Sequence, residues 1–494
     1  MNTHLLALQL MAVQGCLGAF DTIYHHELTE ALAQRQSAKR ELFIHAVRAC
    51  LYGVLFIGLS CWRWQGVWAL LMIVIFSIEF LLTLWDFVVE DQTRLLPASE
   101  RITHTLLAVN GGAFVCLLAL DAGDWLAAPS GLVWQPNGWL GGFLVLVGIG
   151  VTASGVRDAY AYYRLGKLAA SELQFTPIQF GKPRRRVLVT GATGFIGQKL
   201  VRTLLADGQD VIALSRNPRK AAWQFDGKVR FYAAMEDLPL SSRVDVVINL
   251  AGARILGVPW TAARKAALLH SRVALTRSVV EWMGKADHRP RLLISASAIG
   301  YYGIQKRGDQ TQLTENSPPQ DIFMSRLCQQ WEQAAHGAGK YGVRVMCMRL
   351  GVVFGNQGAL PMMLLPIRLG MGGRLGSGMQ WLSWIHVQDV LRGIAHLWQI
   401  SEGRVAADAH GGAAIGVYNF TAPQSVTQAE FSRTAANVLH RPCLIPTPAF
   451  PMRIALGEQA DLLLEGQNVA PTRLQEGGFH FQFPDLRSAL HSIC

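Results

Sequence analysis

The chain has 494 residues, enough for two to four domains, of which 51% are hydrophobic and only 16% charged, with a formal net charge of +11. The eight cysteines include no Cys-x-x-Cys pair, which excludes a zinc knuckle and leaves free thiols, among them Cys328 and Cys347. The positive charge requires no nucleic-acid partner: it divides between the loops of the first third and the run Arg184, Arg185, Arg186, for which anionic lipid headgroups are the expected partner.

The hydrophobic excess lies in the first third. Runs at 5–20, 42–61, 67–88, 102–120 and 140–156 each approach the ~20 residues that cross a bilayer as a helix, so residues 1–164 are expected to form an all-α bundle of about five transmembrane helices. The first run is interrupted by Gln9 and Gln14 but lacks the basic start of a cleaved signal peptide, and reads as an uncleaved anchor. Arg35, Lys39 and Arg40 fall between runs one and two, Arg94 and Arg101 between three and four, and Arg157, Arg164 and Lys167 after five. Residues 121–139 carry no basic residue, and Arg63 is the one dissent. This bias predicts an integral protein of a bacterial-type inner membrane, N-terminus outside, with everything after the fifth run in the cytoplasm.

The polar residues of this third fall in pairs four apart: Asp21 with His25, Glu41 with His45, Asp86 with Glu90, and Glu100 with His104. A spacing of four puts each pair on one helix face, and the topology brings all four pairs to the cytosolic edge. Carboxylates and histidines from four facing helices hold two metal ions in soluble bundles, although three is the better-attested spacing. His26, Glu27 and Glu79 are further candidate ligands to such a set, and a haem is the alternative group. Polar helix ends at an interface, with Arg48 paired to Glu79, give the same sequence without a metal.

After a linker at 165–182, the brief apolar run Val187, Leu188, Val189 is followed by Gly191, Gly194 and Gly197, which predicts a strand turning into a helix. Gly191 permits the tight turn, Gly194 lets a pyrophosphate approach the backbone, and Gly197 lets the helix pack on the sheet. The next strand, 210–214, ends in Ser215 and Arg216, where proteins that prefer NAD carry a carboxylate. Arg216 would attract a 2′-phosphate, so NADP(H) is the expected cofactor. Further strands at 229–233, 244–250, 291–295 and 344–349 alternate with helical stretches at 261–284 and 324–341. The alternation predicts an α/β domain at 183–417 with a doubly wound parallel sheet, its ligand site beyond the strand ends at 249–252, 295–303 and 349–355. The Gly- and Met-rich stretch 360–384 suits an adaptable loop over the cleft, and 418–494, with a helix at 427–439, is expected to form a small substrate lobe.

The runs G-A-T-G-F-I-G at 191–197, N-L-A-G at 249–252, S-A-S-A at 295–298, R-L-G-V-V-F-G at 349–355 and W-I-H-V-Q-D-V at 384–390 resemble the extended short-chain dehydrogenase/reductase (SDR) superfamily. Within it, S-A-S-A-I-G-Y-Y-G, L-G-S-G-M-Q-W-L-S-W-I-H and the tail from Tyr418 are similar to an atypical epimerase-family subgroup with its own small C-terminal domain. The resemblance runs from about Lys182 to the C-terminus and implies a Rossmann sheet. It also implies that Gly191, Thr193, Gly194, Phe195, Ile196 and Gly197 cradle the pyrophosphate, that Arg216 beside Ser215 takes the 2′-phosphate, and that Asn249, Ala251 and Gly252 lie along the adenosine. Ser295 and Ser297 fall where the family places a serine that hydrogen-bonds substrate, and members often pair as dimers through two long helices. The family's Tyr-x-x-x-Lys is missing: registered on the helix of Glu332, those positions hold Met324 and Cys328, neither able to move a proton beside the nicotinamide.

Tyr301 and Tyr302 are the candidate replacement acids, with aromatic packing as the alternative. Without a nearby cation such a tyrosine would keep a pKa near ~10. Arg349, Trp384 and His386 are the candidates on the substrate side, and His386 with Asp389 equally suits a polar clasp. The sequence supports a membrane-anchored NADP(H)-binding epimerase, dehydratase or reductase acting on a small or lipid-like molecule. It also supports a non-catalytic NADPH sensor or assembly factor coupled to a membrane partner, or a metal or haem bundle regulated by the coenzyme domain.

Overall fold

The computed structural model describes residues 3–29, 32–34, 38–93, 96–172, 177–225, 227–255, 260–306, 308–403 and 415–494. Arg35, Arg94 and the side chains of Glu27 and Lys167 lie outside the described set. The chain divides into two compact units, Met1–Thr176 and Pro177–Cys494.

In the first unit α1 (Thr3–Phe20) continues as a π-helix (Asp21–Thr29), followed by α2 (Lys39–Cys61), α3 (Val67–Thr93), α4 (Ala98–Ala127) and α5 (Gly138–Glu172). Among the described residues, five helical stretches are long and apolar enough to cross a membrane: Thr3–His26, Lys39–Cys61, Val67–Gln92, Ala98–Ala127 and Gly138–Gly166. They outrun the apolar stretches in the sequence because the polar pairs at their ends are helical too. At one end, short strands β1 (Trp62–Gln65) and β2 (Gly131–Trp134) pair antiparallel. Small residues let α2 and α5 approach closely, a packing common between apolar helices. A Cβ on Gly155 would stand 2.8 Å from the Ala49 Cβ. The bundle inverts the usual distribution: Phe80 and Leu81 are 61% and 64% exposed, whereas Glu41, Glu90 and Glu100 are fully buried.

The second unit is built on seven parallel strands. These are β3 (Arg186–Thr190), β4 (Asp210–Leu214), β5 (Arg230–Tyr232), β6 (Val246–Asn249), β7 (Leu292–Ala298) and β8 (Arg344–Leu350), followed after the short β9 (Val352–Phe354), β10 (Trp381–Leu382) and β11 (Trp384–His386) by β12 (Ile415–Phe420). The order is β12-β8-β7-β6-β3-β4-β5, a Rossmann-like doubly wound sheet. Helices cover both faces, so the strands read as continuous apolar runs. Val187 and Val189 meet Leu200 and Leu204 of α6 (Phe195–Ala206) on one face, while Leu188 meets Val279 and Met283 on the other. Each fully buried Val or Leu contributes roughly 1.5–3 kcal/mol.

After α7 (Pro218–Trp223), the helix expected at 261–284 is split into α8 (Ala262–Leu269), a π-helical turn (His270–Ala274) and α9 (Leu275–Lys285). Then come α10 (Phe323–His336), α11 (Leu360–Arg368) and α12 (Val387–Ser401). In the last part α13 (Gln428–Leu439) starts in a capping box of Thr427 with Glu430. Strand order reverses between β3 and β6, where Thr190 faces Asn249, and this opens a crevice beyond the strand ends.

Candidate functional site

The crevice begins at the glycine turn. Gly191 has φ +70°, and a Cβ there would stand 2.8 Å from the Leu250 carbonyl carbon; a Cβ on Gly197 would overlap the Gly191 carbonyl oxygen. Gly194 is the N-cap of α6 and offers no side-chain cap, so the backbone N–H groups of the first turn remain for a ligand. Such a cradle, with no room for side chains at a helix N-terminus, fits a pyrophosphate. Thr193 is exposed in the turn, the Phe195 ring lies against Gly355 and Gly358, and Ile196 packs on the core. Arg216 is exposed just past β4, beside Ser215, whose Oγ accepts from the Asn217 N–H at 3.3 Å.

Asn249 and Ser295 form the floor rather than the wall. The Asn249 amide donates to Thr276 Oγ1 (2.9 Å) and Ser295 Oγ (3.1 Å), its Oδ1 accepts from Thr190 Oγ1 (2.6 Å), and the Ala251 N–H donates to that same Thr190 oxygen (3.2 Å). These bonds tie β3, β6, β7 and α9 at the switch point.

Arg272 escaped the sequence reading. It projects from the π-helical turn, donates to the carbonyls of Ala253 (2.9 Å) and Leu268 (3.3 Å), and lies over the Trp331 ring at 5.3 Å. Its guanidinium is 3.0 Å from where a Cβ of Gly252 would stand, and burial lowers its pKa. A helical period of 3.6 does not reveal which side chain a π-turn will throw into a crevice.

At the ends of β7 and β8 a buried network closes on itself. Ser297 Oγ donates to Glu332 Oε1 (2.7 Å), and Arg349 donates to both Glu332 oxygens, from Nε at 2.8 Å and Nη2 at 2.9 Å. Arg349 Nη1 donates to the Tyr302 hydroxyl (3.0 Å), which donates to Asn419 Oδ1 (2.7 Å), while the Asn419 N–H donates to Glu315 (3.0 Å). Burial pushes Tyr302 up to about 12, although Arg349 pulls the other way. The expectation of a tyrosine near ~10 with no cation beside it is thereby corrected: a cation is present, and desolvation outweighs it. Burial holds Glu315 above the usual carboxylate range despite its backbone donors.

The neighbouring Tyr301 lies with its ring 3.4 Å from the Arg349 guanidinium carbon, and its hydroxyl makes no hydrogen bond among the described residues. Met324 and Cys328 are both buried at the end of β7; a Cβ on Gly300 would meet them at 3.4 and 3.8 Å. Burial, with Glu332 adding to it, pushes the Cys328 thiol to about 12, so it stays protonated.

Trp384 is fully buried and stacks on Phe354 at 5.2 Å. His386 is the N-cap of α12: its Nδ1 accepts from the Gln388 N–H at 3.1 Å, and burial, with the Lys199 charge adding, lowers it to about 3. The Asp389 carboxylate accepts from the N–H groups of Gln482 (2.8 Å) and Phe483 (2.9 Å) and clasps the C-terminal segment. These side chains sit in the scaffold, as does Arg349.

In the first unit the polar helix ends converge. One ligand atom from each of Asp21, His26, Glu100 and His104 lies within 4.8 Å of the others, and the same holds for His26, Glu41, His45 and Glu90. His25 and Asp86 stand one step outside. His25 bonds Asp21 (2.8 Å) and Ser99 (3.2 Å), while Asp86 accepts from Arg48 (2.6 Å) and bonds His45 (3.1 Å). In the π-helix, with i→i+5 bonding, Asp21 meets His26, five residues on, at 3.3 Å as well as His25.

The model of the NAD dependent epimerase/dehydratase family matches residues 187–407, and a domain of unknown function, DUF1731, matches 447–493. The epimerase family protein YfhF of Bacillus subtilis is 36% identical over 315 residues, covering 62% of this chain and 97% of that protein. The chloroplastic SDR39U1 homolog of Arabidopsis thaliana is 38% identical over 314 residues, covering 62% and 86%. The crystal structure of human epimerase family protein SDR39U1 with NADPH matches at TM-score 0.54 and 34% identity, covering 62% of this chain and 98% of that one.

Proposed function

Because this chain belongs to the NAD dependent epimerase/dehydratase family, we propose that it is a membrane-anchored NADP(H)-dependent oxidoreductase or epimerase with a lipid-like substrate. Anchoring is supported by the five apolar helices and by tryptophans 62, 68, 134 and 139 at the end of the bundle that carries β1 and β2, the belt expected at a bilayer surface. NADP(H) over NAD(H) is supported by Arg216 and by the NADPH in the human relative. A lipid-like substrate is supported by apolar side chains left exposed on the small lobe and beside it, among them Met362, Met371, Leu444, Phe450 and Ile454.

The bound cofactor supplies or accepts hydride at the nicotinamide. Gly191, Gly194 and Gly197 admit its pyrophosphate, Arg272 adds positive charge at the crevice floor, and Arg216 holds the 2′-phosphate. The observation that carries the reading is the closed Ser297–Glu332–Arg349–Tyr302 network. It commits every nearby acid except Tyr301, whose hydroxyl is left to move the substrate proton, in place of the tyrosine that Met324 replaces.

The test gives purified full-length protein NADPH deuterated on either C4 face together with a lipid extract, and follows the label by mass spectrometry. Label in a discrete lipid, lost in Tyr301→Phe with NADPH binding retained, supports the assignment. Label transfer unchanged in that variant removes Tyr301. No label from protein that binds NADPH favours a non-catalytic sensor, the reading that the closed network and Cys328 also suit. A second reading places metal chemistry in the bundle, favoured by the convergence of histidines and carboxylates there.

A further inference from the structure

We propose that the bundle of the first unit binds a pair of divalent transition-metal ions between α1, α2, α3 and α4, held by Asp21, Glu41, Glu90, Glu100 and three histidines. The inference deepens the second reading above; its test counts ions rather than transferred label, so it stands or falls apart from the coenzyme assignment.

Seven side chains from four helices supply the ligands. Helices α2 and α4 each give a glutamate and a histidine one turn apart, Glu41 with His45 and Glu100 with His104; α3 gives Glu90, and the π-helix gives Asp21 and His26. Two helices giving a Glu–His pair and two giving a further carboxylate is the arrangement by which soluble carboxylate bundles hold two metals. Here the pairs are four apart and the fourth helix adds a histidine.

The distances are those of ligands sharing an ion. Two ligands each ~2.1 Å from one metal stand roughly 3.0 to 4.2 Å apart, depending on the angle between them. His26 Nε2 lies 3.3 Å from Asp21 and 3.7 Å from Glu100, and His104 Nε2 lies 3.2 Å from Asp21. The two ligand groups meet where His104 Nδ1 faces Glu90 Oε2 at 3.4 Å. The His26 and His45 rings lie parallel with centroids 4.6 Å apart.

Charge and surroundings agree. Glu41, Glu90 and Glu100 are fully buried, and the four carboxylates of the two groups balance two divalent cations. No cysteine belongs to either group, so nitrogen and oxygen donors select iron(II), manganese(II) or zinc(II) over thiolate-seeking ions. Around them, Asp86 fixes the His45 ring and is itself held by Arg48, the outer support that metal-binding histidines carry. The π-helix is an independent sign: such turns are rare and cluster at functional sites, and this one aligns Asp21 with His26.

The experiment uses full-length protein in detergent, stripped with a chelator and reloaded separately with Fe(II), Mn(II), Zn(II) and Co(II). Metal content is then measured after gel filtration. We expect two ions per chain for at least one metal, a visible absorption band with Co(II), and a spin-coupled rather than isolated Mn(II) resonance. Glu41→Gln and Glu100→Gln should each lower the count to one or none while NADPH affinity is unchanged, which shows that the second unit remains folded. One ion per chain, no retained ion with any metal, or two ions retained in both variants would overturn the proposal.

Discussion

Replacing Glu332 by glutamine tests whether the closed network is as tightly coupled as its geometry indicates. The substitution keeps the shape but leaves the Arg349 guanidinium, only 3% exposed, without its countercharge, and Ser297 without its carboxylate acceptor. Breaking a buried ion pair from one side costs about 3–5 kcal/mol, because the remaining charge is stranded where water cannot reach it. For a unit of this size that lowers the unfolding midpoint by about 6–10 °C. The assay is thermal unfolding of the full-length protein, with the transition of the second unit identified as the one that NADPH shifts upward. The double variant Glu332→Leu with Arg349→Met removes both charges and should recover most of the loss, since a buried pair is worth little against apolar side chains of similar volume. A midpoint for Glu332→Gln within a degree of wild type, or a double variant no better than the single, would refute the reasoning.

Arg216→Glu should weaken NADPH about 10–100-fold, the worth of one charge-assisted hydrogen bond, and leave NADH unchanged or tighter in a binding titration. An unaltered ratio of the two affinities would take Arg216 out of the 2′-phosphate site. Gly197→Ala should abolish NADPH binding and lower the same unfolding transition by about 1–3 kcal/mol or more, because the new Cβ meets the rigid Gly191 carbonyl; wild-type affinity in that variant would contradict the cradle. His386, held near 3 in the fold by burial, stays neutral while the unfolded chain takes up a proton below about 6.5. Its stabilising effect is complete above that pH and declines below it, by about 2 kcal/mol at pH 5. His386→Asn can still accept at the N-cap and should flatten this decline; parallel pH profiles for the two proteins would count against it.

Much of the fold was legible because local chemistry leaves few alternatives. Val187 to Gly197 can only be a strand, a tight turn and a close-packed helix, since each glycine stands where a Cβ meets backbone. The five apolar runs indicated five helices by length alone, and the helical pattern at 427–439 formed α13. The sequence also held the raw material of both candidate sites: the glycines and Arg216 in one, the paired carboxylates and histidines in the other. Their use was decided by tertiary packing. Whether a polar side chain faces a ligand or a buried partner depends on residues far along the chain, and so Ser297, Arg349 and Tyr302 turned inward to Glu332 and Asn419. Arg272 entered the crevice, and His26 joined His25 at Asp21, because a π-turn shifts the helical phase by about one residue, and no residue type signals that shift. Composition and periodicity determine which residues are buried and roughly where helices run; the partner of each buried polar group is settled only when distant strands and helices meet.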